Sequence, residues 1–263
     1  MAPHPIAVTT RANPQPSDVA EATAAAGRWG VPRIGRPTGG LLSLLFSQAA
    51  TVLVVERKGV TLWDAQGHAR WAMGLAALRL KALDRGEQGE ALVRVGALAS
   101  GERVLDCTLG LAQDARVAAR LVGPSGLVVG LEASLPLAIF AAEGLRREPL
   151  DARSAGIEVR HADARTVLAG LPEASFDVVL FDPMFSREGK AQPSFTLLRR
   201  LARADRLDAV TLARARRVAR RVVLVKAPRY GPELRTLVLR PERASRGATV
   251  VWARLDADHR GPA

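Results

Sequence analysis

The stretch FDVVLFDPMF at residues 176–185 decides how this chain is expected to fold. Its first six residues are almost entirely apolar, as in a strand that is buried on both faces of a sheet. The strand would end at Asp182, with Pro183 next and Phe185 two residues further on. This ending places a carboxylate, a prolyl carbonyl and an aromatic ring at the carboxyl edge of the sheet, where open α/β sheets bind ligands. An ordinary strand followed by an Asp-Pro turn would have the same sequence pattern. The rest of the sequence therefore decides between a ligand-binding strand end and a simple turn.

The chain around this stretch alternates between strand-like and helix-like segments from residue 101 onward. The predicted strands cover residues 103–106, 126–132, 157–160, 176–181, 221–226 and 249–255, the last as a candidate antiparallel edge strand. The predicted helices cover residues 113–121, 135–145, 165–168 and 194–216, the last of which could be two helices. Strands that alternate with helices predict an α/β fold with a mostly parallel, doubly wound sheet.

The first 95 residues show a different organisation. Residues 1–17 contain four prolines and few large apolar side chains, which is typical of a flexible tail. A helix is expected from Asp18 to Arg28 with Asp18 as its N-cap. A hairpin is expected from residues 51–56 and 60–63, and a further helix over residues 71–83. Residues 18–95 are therefore predicted to form a small α+β portion, and residues 96–263 the main domain.

The composition limits the classes of function. With 48% hydrophobic residues, a chain of 263 residues can bury a substantial core. The net charge of +12 comes almost entirely from arginine, which suits phosphate contacts and suggests a polyanionic partner, although arginine-rich usage also follows from GC-rich coding. The single cysteine, Cys107, excludes an internal disulfide and agrees with a cytoplasmic location. No His/Cys cluster has metal-site spacing, and the apolar-leaning residues 41–55 are too short and too polar to span a membrane.

Acidic residues follow four successive predicted strands. They are Asp106, Glu132, Asp163 and Asp182. Each alone could simply cap the helix that follows, but together they would line one crevice at the carboxyl edge of the sheet. An acid at the end of the second strand, here Glu132, can bind both hydroxyls of a ribose. An acid at the entrance of the first loop, here Asp106, would repel a pyrophosphate and suit a cationic group.

The same region resembles a known family. Residues 103–132, together with Asp163 and the Asp-Pro-Met-Phe sequence at 182–185, resemble class I S-adenosylmethionine-dependent methyltransferases. The segment LDCTLGLAQD at residues 105–114, taken with Asp-Pro-Met-Phe, is similar to the bacterial 16S ribosomal RNA guanine-N2 methyltransferases and their uncharacterised relatives. The resemblance implies a Rossmann-like fold, S-adenosylmethionine (SAM) as the cofactor and ribosomal RNA as the substrate. Gln113 is usually basic in that family, and residues 186–190 lack its usual proline, so the particular RNA target stays open.

The resemblance also implies a set of site residues. For the cofactor pocket these are Asp106, Thr108, Gly110, Gln113, Asp114, Glu132, Ala133, Asp163, Ala164 and Asp182. For catalysis, Asp182 and the carbonyl of Pro183 would accept hydrogen bonds from an amino group of a base and orient its nitrogen toward the methyl group. Phe185 would stack on the base. Three cationic residues near the predicted sheet edge could contact phosphate or simply be solvated surface charges, namely Arg187, Lys190 and Lys226.

Three functions remain open from the sequence. An RNA methyltransferase agrees with the net charge and with the resemblance. A methyltransferase for a small molecule or a protein would need the same crevice without a basic surface. An RNA-binding module without catalysis would need no crevice, so the four acids disfavour it. A nucleophilic role for Cys107 is disfavoured because a small thiol in the cofactor loop is better explained by burial, and core packing is favoured over RNA stacking for Trp63, Trp71 and Trp252.

Overall fold

A computed structural model gives the fold of the protein and describes residues 3–36, 42–56, 59–87, 90–183, 193–203, 207–242 and 248–258. Phe185, Arg187 and Lys190 lie outside the described residues. In chain order the elements are β1 (Ala7–Thr10), α1 (Pro16–Trp29), a 3-10 helix (Leu42–Ser47), β2 (Val52–Glu56), β3 (Gly59–Asp64), β4 (Gly67–Arg70), α2 (Leu75–Asp84), α3 (Ala91–Arg94), β5 (Arg103–Asp106), α4 (Gln113–Val122), β6 (Leu127–Glu132), α5 (Leu135–Arg147), β7 (Ile157–His161), α6 (Ala164–Gly170), β8 (Phe176–Phe181), α7 (Pro193–Leu201), α8 (Ala209–Val218), β9 (Ala219–Pro228), α9 (Pro232–Thr236) and β10 (Val250–Asp256).

The chain divides into two compact units. The first comprises residues 1–72, 134–149 and 188–203, and the second comprises residues 73–133, 150–187 and 204–263. This division differs from the boundary predicted near residue 95, because α2 and α3 both pack on α4 within the second unit. Within the described ranges, no helix combines the length and the apolar character needed to cross a bilayer.

The first unit contains a four-stranded sheet in the order β1-β2-β3-β4. The predicted hairpin is confirmed, because β2 and β3 pair antiparallel with Val52 opposite Trp63. Trp71 is buried and meets Phe140 of α5 edge-on at 5.5 Å between ring centroids, as the preference for core packing predicts. A Cβ at Gly144 would lie 2.0 Å from the Trp71 ring, so glycine there is what lets the indole pack against α5.

The prediction of a flexible tail over residues 1–17 is wrong for part of that segment. Residues Ala7–Thr10 form the buried strand β1, which pairs in parallel with β2. The prolines flank this strand and leave its backbone N–H groups available for pairing. Asp18 is also not the N-cap of α1. Its carboxylate lies one turn inside the helix and accepts a hydrogen bond of 2.8 Å from the backbone amide of Gln15, which is the N-cap.

The second unit contains a six-stranded sheet in the order β10-β9-β8-β5-β6-β7. All neighbouring pairs are parallel except β9 and β10, so the predicted parallel sheet and its antiparallel edge strand are both confirmed. One face buries an aliphatic layer against Leu168 of α6 and Leu212 of α8, and α4 packs on β5 and β6. The order of the strands reverses at β5, with β6 on one side and β8 on the other. Such a switch point opens a crevice at the carboxyl ends of the strands.

Candidate active site

The four acids predicted from the strand ends do meet at one edge of the sheet. Asp106 pairs in register with Gly130 of β6 and with Leu180 of β8, which places the ends of the three strands beside one another. Glu132 is the last residue of β6 and pairs with His161, the last residue of β7. Asp182 and Asp163 follow β8 and β7 within two residues. The resulting edge carries carboxylates on both sides of the switch point.

The loop after β5 is held to both neighbouring strands. The amide of Cys107 donates to the Leu180 carbonyl of β8, and the amide of Leu109 donates to the Leu131 carbonyl of β6, each at 2.9 Å. The Leu109 side chain packs over Gly130, where an added Cβ would lie 2.4 Å from it. Gly110 adopts a φ of +50°, which glycine tolerates without strain. The loop is therefore fixed in shape by backbone contacts on either side.

Glu132 and Asp106 bind backbone amides of this same loop. A Glu132 carboxylate oxygen accepts a hydrogen bond of 3.0 Å from the amide of Gly110. Asp106 accepts one of 3.0 Å from the amide of Thr108. Burial raises the pKa of Asp106 to about 7. The Thr108 hydroxyl accepts a hydrogen bond of 2.6 Å from the amide of Asp182, so this residue joins the loop after β5 to the end of β8.

Asp163 combines a capping role with a position at the sheet edge. Its carboxylate caps α6 by accepting a hydrogen bond of 2.8 Å from the amide of Arg165, and it also pairs with the Arg165 guanidinium at 3.0 Å. Ala164 is the first residue of α6. The Ala133 carbonyl lies 3.2 Å from the Nε2 atom of His161. These residues place a carboxylate and two backbone segments beside the end of β6, where the sequence predicts part of the cofactor pocket.

Gln113 and Asp114 have other partners than the sequence suggests. The Gln113 amide oxygen accepts a hydrogen bond of 2.7 Å from the amide of Ala76, in the first turn of α2. Asp114 is only 6% exposed, and its carboxylate binds Arg79 and Lys226, each at 2.5 Å. Although burial disfavours its ionised form, the two cations hold the pKa of Asp114 below its usual value. Both side chains are thus used in contacts within the protein.

Asp182 is the more exposed end of the same group of charges. Its side chain is 39% exposed and its carboxylate lies 2.7 Å from the Lys226 ammonium. Burial raises the pKa of Asp182, and the attraction of Lys226 partly offsets that effect. Pro183 follows Asp182 and is partly buried. Phe185, the third predicted catalytic residue, belongs to the part of the chain that the structure does not describe.

Arg79 and Glu90 were not predicted as site residues, and Lys226 was predicted to have a different role. Arg79 binds Asp114 and also forms a two-point ion pair with Glu90 at 2.6 and 2.9 Å. Lys226, which the sequence suggests as a phosphate contact, instead binds two carboxylates and lies 5.0 Å from the ring centroid of Trp252. One signal in the sequence was the position of Lys226 at the end of an apolar strand. The pairing of Arg79 with Asp114 has no such local signal.

The chemistry of the site fits the cofactor that the resemblance implies. Asp106 and Glu132 supply carboxylates, which suit a cationic group and ribose hydroxyls and would repel a pyrophosphate. A Cβ at Gly110 would meet nothing closer than a backbone oxygen at 3.9 Å, so a ligand can approach the loop closely. Across the described residues, no cluster of His, Cys, Asp and Glu has the arrangement of a metal site. Cys107 is buried and its pKa is raised by desolvation, which disfavours its action as a nucleophile.

Known proteins give an independent view of the chain. A family model described as "Putative SAM-dependent methyltransferase" matches residues 44–246. The chain is 32% identical over 237 residues to the uncharacterised protein YpiP of Bacillus subtilis, which covers 85% of this chain and 90% of that protein. It is 37% identical over 155 residues to the ribosomal RNA small subunit methyltransferase J of Laribacter hongkongensis, which covers 56% of this chain and 54% of that protein.

A solved structure supports the fold. The crystal structure of a SAM-dependent methyltransferase from Neisseria gonorrhoeae superposes with a TM-score of 0.61, covers 96% of each chain and is 18% identical. This likeness confirms the predicted Rossmann-like methyltransferase fold. Since the family model also spans more than half of the sequence, the chain belongs to the SAM-dependent methyltransferase family, and SAM is its cofactor.

Proposed function

We propose that this enzyme methylates an exocyclic amino nitrogen of a base in ribosomal RNA. The observation that carries the proposal is the 37% identity to a ribosomal RNA small subunit methyltransferase over 155 residues. The matched region spans about half of that relative's length. The net charge of +12 agrees with a polyanionic substrate. A methyltransferase for a small molecule or a protein is the main competing function, and the experiment below distinguishes the two.

In this proposal the cofactor lies along the β5–β6–β7 side of the sheet edge. Asp106 and the loop around Gly110 would hold its methionine end, and Glu132 would accept hydrogen bonds from its ribose. Ala133, Asp163 and Ala164 would border its base, with Asp163 also capping α6. SAM supplies a methyl group on a positively charged sulfur, which is a good leaving group. Thr108, Gln113 and Asp114 are assigned a supporting role, because their side chains bind other groups of the protein.

The substrate would be bound on the β8 side of the edge. Asp182 is the most exposed of the four strand-end acids, and it would accept a hydrogen bond from the amino group of the base. The carbonyl of Pro183 would accept a second hydrogen bond, and Phe185 would stack on the base. Two acceptors fix the direction of the nitrogen lone pair, and positioning of this kind can contribute a large part of the rate enhancement. These three residues would therefore orient the nucleophile.

A surface suited to RNA lies beyond the end of β9. Tyr230 is 79% exposed, and the Arg229 guanidinium lies 5.8 Å from the centroid of its ring. Exposed aromatic rings beside arginine bind unpaired bases by stacking, which contributes about 1–3 kcal/mol per base. We propose that this pair contacts the RNA next to the methylated nucleotide. Replacing Tyr230 with Ala should weaken RNA binding about 5- to 150-fold, while Tyr230→Phe should preserve binding.

The test is methyl transfer from radiolabelled SAM to small ribosomal subunits and to their naked RNA. Subunits from cells that lack this gene should accept label in the RNA, and subunits from cells that retain the gene should accept much less. Nucleoside mass spectrometry would then identify the methylated base. Labelling of a small molecule or a protein in the same extract, with no labelling of RNA, would overturn the proposed substrate.

The role of Asp182 is tested in the same assay with Asp182→Asn. This change should lower methyl transfer at least about 100-fold, because it replaces the anionic acceptor that orients the nitrogen. Asp177→Asn is the matched control, since Asp177 is the second residue of the same strand, at the end opposite Asp182, and pairs with Arg220. Full activity of Asp182→Asn would contradict the assignment.

A further inference from the structure

We propose that Lys226 is a positioning residue that keeps the Asp182 carboxylate ionised and aimed at the substrate amine. This inference rests on the proposed function of Asp182 as the acceptor for that amine. The supporting residues are a row of five charged side chains of alternating sign, which we call the charge row: Glu90, Arg79, Asp114, Lys226 and Asp182.

The position of Lys226 is fixed on several sides. It lies near the carboxyl end of β9, where its ammonium is 2.5 Å from Asp114 and 2.7 Å from Asp182. Trp252 occupies the directly opposite position on β10, with its ring centroid 5.0 Å from the ammonium. A cation over an indole face gains further attraction. Lys226 is therefore held between two carboxylates and a ring.

The two carboxylates that bind Lys226 differ in exposure. Asp114 is 6% exposed, whereas the Asp182 side chain is 39% exposed. Asp114 is also bound by Arg79, whose guanidinium is in turn fixed by two contacts with Glu90. Asp114 is thus the anchored end of the pair, and Asp182 is the end that a ligand can reach. The charge row contains one more anion than cation, and its exposed terminus is Asp182.

Without the ammonium, the two carboxylates would compete for ionisation. Neighbouring carboxylates that share a site raise each other's affinity for a proton. The charged groups with the largest effect near Asp182 include Lys226 of β9, Asp114 of α4 and Asp106 at the end of β5. Two of the three are acids, so Lys226 is the cation that offsets them. An ionised carboxylate is also the stronger hydrogen-bond acceptor for an amine.

The first test measures Asp182 directly and needs no substrate. Protein labelled with carbon-13 at the aspartate carboxyl is titrated by NMR in the presence of SAM, and the signal is assigned with Asp182→Asn. Lys226→Met should raise the pKa of Asp182 by at least about one unit, and Lys226→Arg should restore it. Asp114→Asn should lower that pKa, because it removes the neighbouring anion. Lys81→Met, at an exposed lysine of α2, should leave it unchanged.

The opposite directions expected for the two variants separate positioning from a purely structural role. A loss of folding in Lys226→Met would leave Asp114→Asn to test the same inference. An Asp182 titration that moves in neither variant would overturn the inference, even if the wild-type enzyme methylates RNA. Conversely, a shifted titration in an enzyme that labels no RNA would retain the pairing and reject the proposed substrate.

The second test uses methyl transfer to RNA as a function of pH. Lys226→Met should move the acid limb of kcat to higher pH, so that its activity falls about tenfold or more at pH 6 and much less at pH 8.5. The Kd for SAM should stay within about threefold of the wild-type value, because Lys226 lies on the substrate side. An equal loss at every pH, without rescue by Lys226→Arg, would show that the lysine only stabilises the fold.

Discussion

Two groups of acids lie at the carboxyl edge of the sheet and in the adjoining first turn of α4, and they differ in what binds them. Asp114 and Asp182 are bound by side-chain cations, and we call them the cation-paired acids. Asp114 binds both Arg79 and Lys226, and Asp182 binds Lys226. Asp106 and Glu132, which we call the amide-paired acids, each accept a hydrogen bond from a backbone amide of the loop after β5. The sequence predicts Asp106, Glu132 and Asp182 at strand ends and Asp114 at the start of a helix, but it does not show which group binds each of them.

The two kinds of partner give the carboxylates two different roles, which are to hold a loop in place and to set the local charge. A carboxylate bound to backbone amides fixes the path of the loop that supplies those amides, as Glu132 does for Gly110. A carboxylate bound to a buried cation sets the local charge and depends on a distant residue for its protonation state. We therefore expect changes to the cation-paired acids to affect stability and ionisation, and changes to the amide-paired acids to affect the cofactor loop.

The largest effect is expected from removing Arg79. Arg79→Met would remove the one cation that these two pairs share, because Arg79 contacts both Asp114 and Glu90. Breaking a buried ion pair from one side typically costs about 3–5 kcal/mol, which corresponds to a Tm lower by about 6–15 °C. Thermal denaturation followed by circular dichroism measures this loss. Arg85→Met is the matched control, because the Arg85 pair with Glu87 is mostly exposed and should contribute less than about 1 kcal/mol.

If Arg79→Met lowers the Tm no more than the control does, the buried ion pairs of the charge row do not stabilise the fold. The affinity for SAM gives a second comparison. The affinity should change little in this variant once the protein is folded, since Arg79 donates its hydrogen bonds to Glu90 and Asp114 and these residues lie outside the loop after β5.

The charge row also marks where sequence reasoning ended. The prediction gave β8 the bounds that the structure shows, because the continuous apolar run at residues 178–181 favours a buried strand. The four strand-end acids followed from the same strands. The contacts of Asp114 did not, because Arg79 and Lys226 are 35 and 112 residues away in the chain. Ion pairs of that separation depend on the tertiary fold and leave no periodic signal.

The error at the amino terminus has a related cause. The four residues of β1 lie among prolines, and this context is also typical of a flexible tail. Their pairing with β2 involves residues about 45 positions later in the chain. A strand of this length gives too few residues for a pattern of period two to be recognised. Its burial therefore follows from the sheet and could not be inferred from the local sequence.

The next largest effect concerns an amide-paired acid. Glu132→Ala removes the acceptor of the Gly110 amide and the proposed acceptor of the cofactor ribose. We expect SAM to bind about 10- to 100-fold more weakly, or about 1.4–2.7 kcal/mol, as measured by calorimetric titration. Glu158→Ala is the matched control on β7, since Glu158 is exposed and pairs with Arg160. Equal affinity in Glu132→Ala and the control would reject Glu132 as a cofactor ligand.

The smallest effect compares the pH dependence of one acid from each group. Burial raises the pKa of Asp106 to about 7, so the folded protein holds this proton more tightly than the unfolded chain. The stabilisation from that proton is complete below the unfolded pKa of about 4 and is lost as the pH rises through 7. Asp106→Asn keeps an oxygen for the Thr108 amide and removes the titration. Between pH 6 and pH 8, the unfolding free energy of the wild type should fall by about 1–2 kcal/mol more than that of Asp106→Asn.

Asp114→Asn should behave differently over the same pH range. The pKa of Asp114 is lowered by its two cations, so its stabilisation is present above the unfolded pKa of about 4 and is lost only at lower pH. Its stability difference from the wild type should therefore stay constant between pH 6 and pH 8, when both are measured by urea unfolding. Parallel pH profiles for Asp106→Asn and Asp114→Asn would mean that the nature of the partner, amide or cation, does not distinguish the two groups. Divergent profiles would show that neighbouring carboxylates of one site have opposite protonation behaviour, because the fold buries one beside a loop amide and supplies the other with cations.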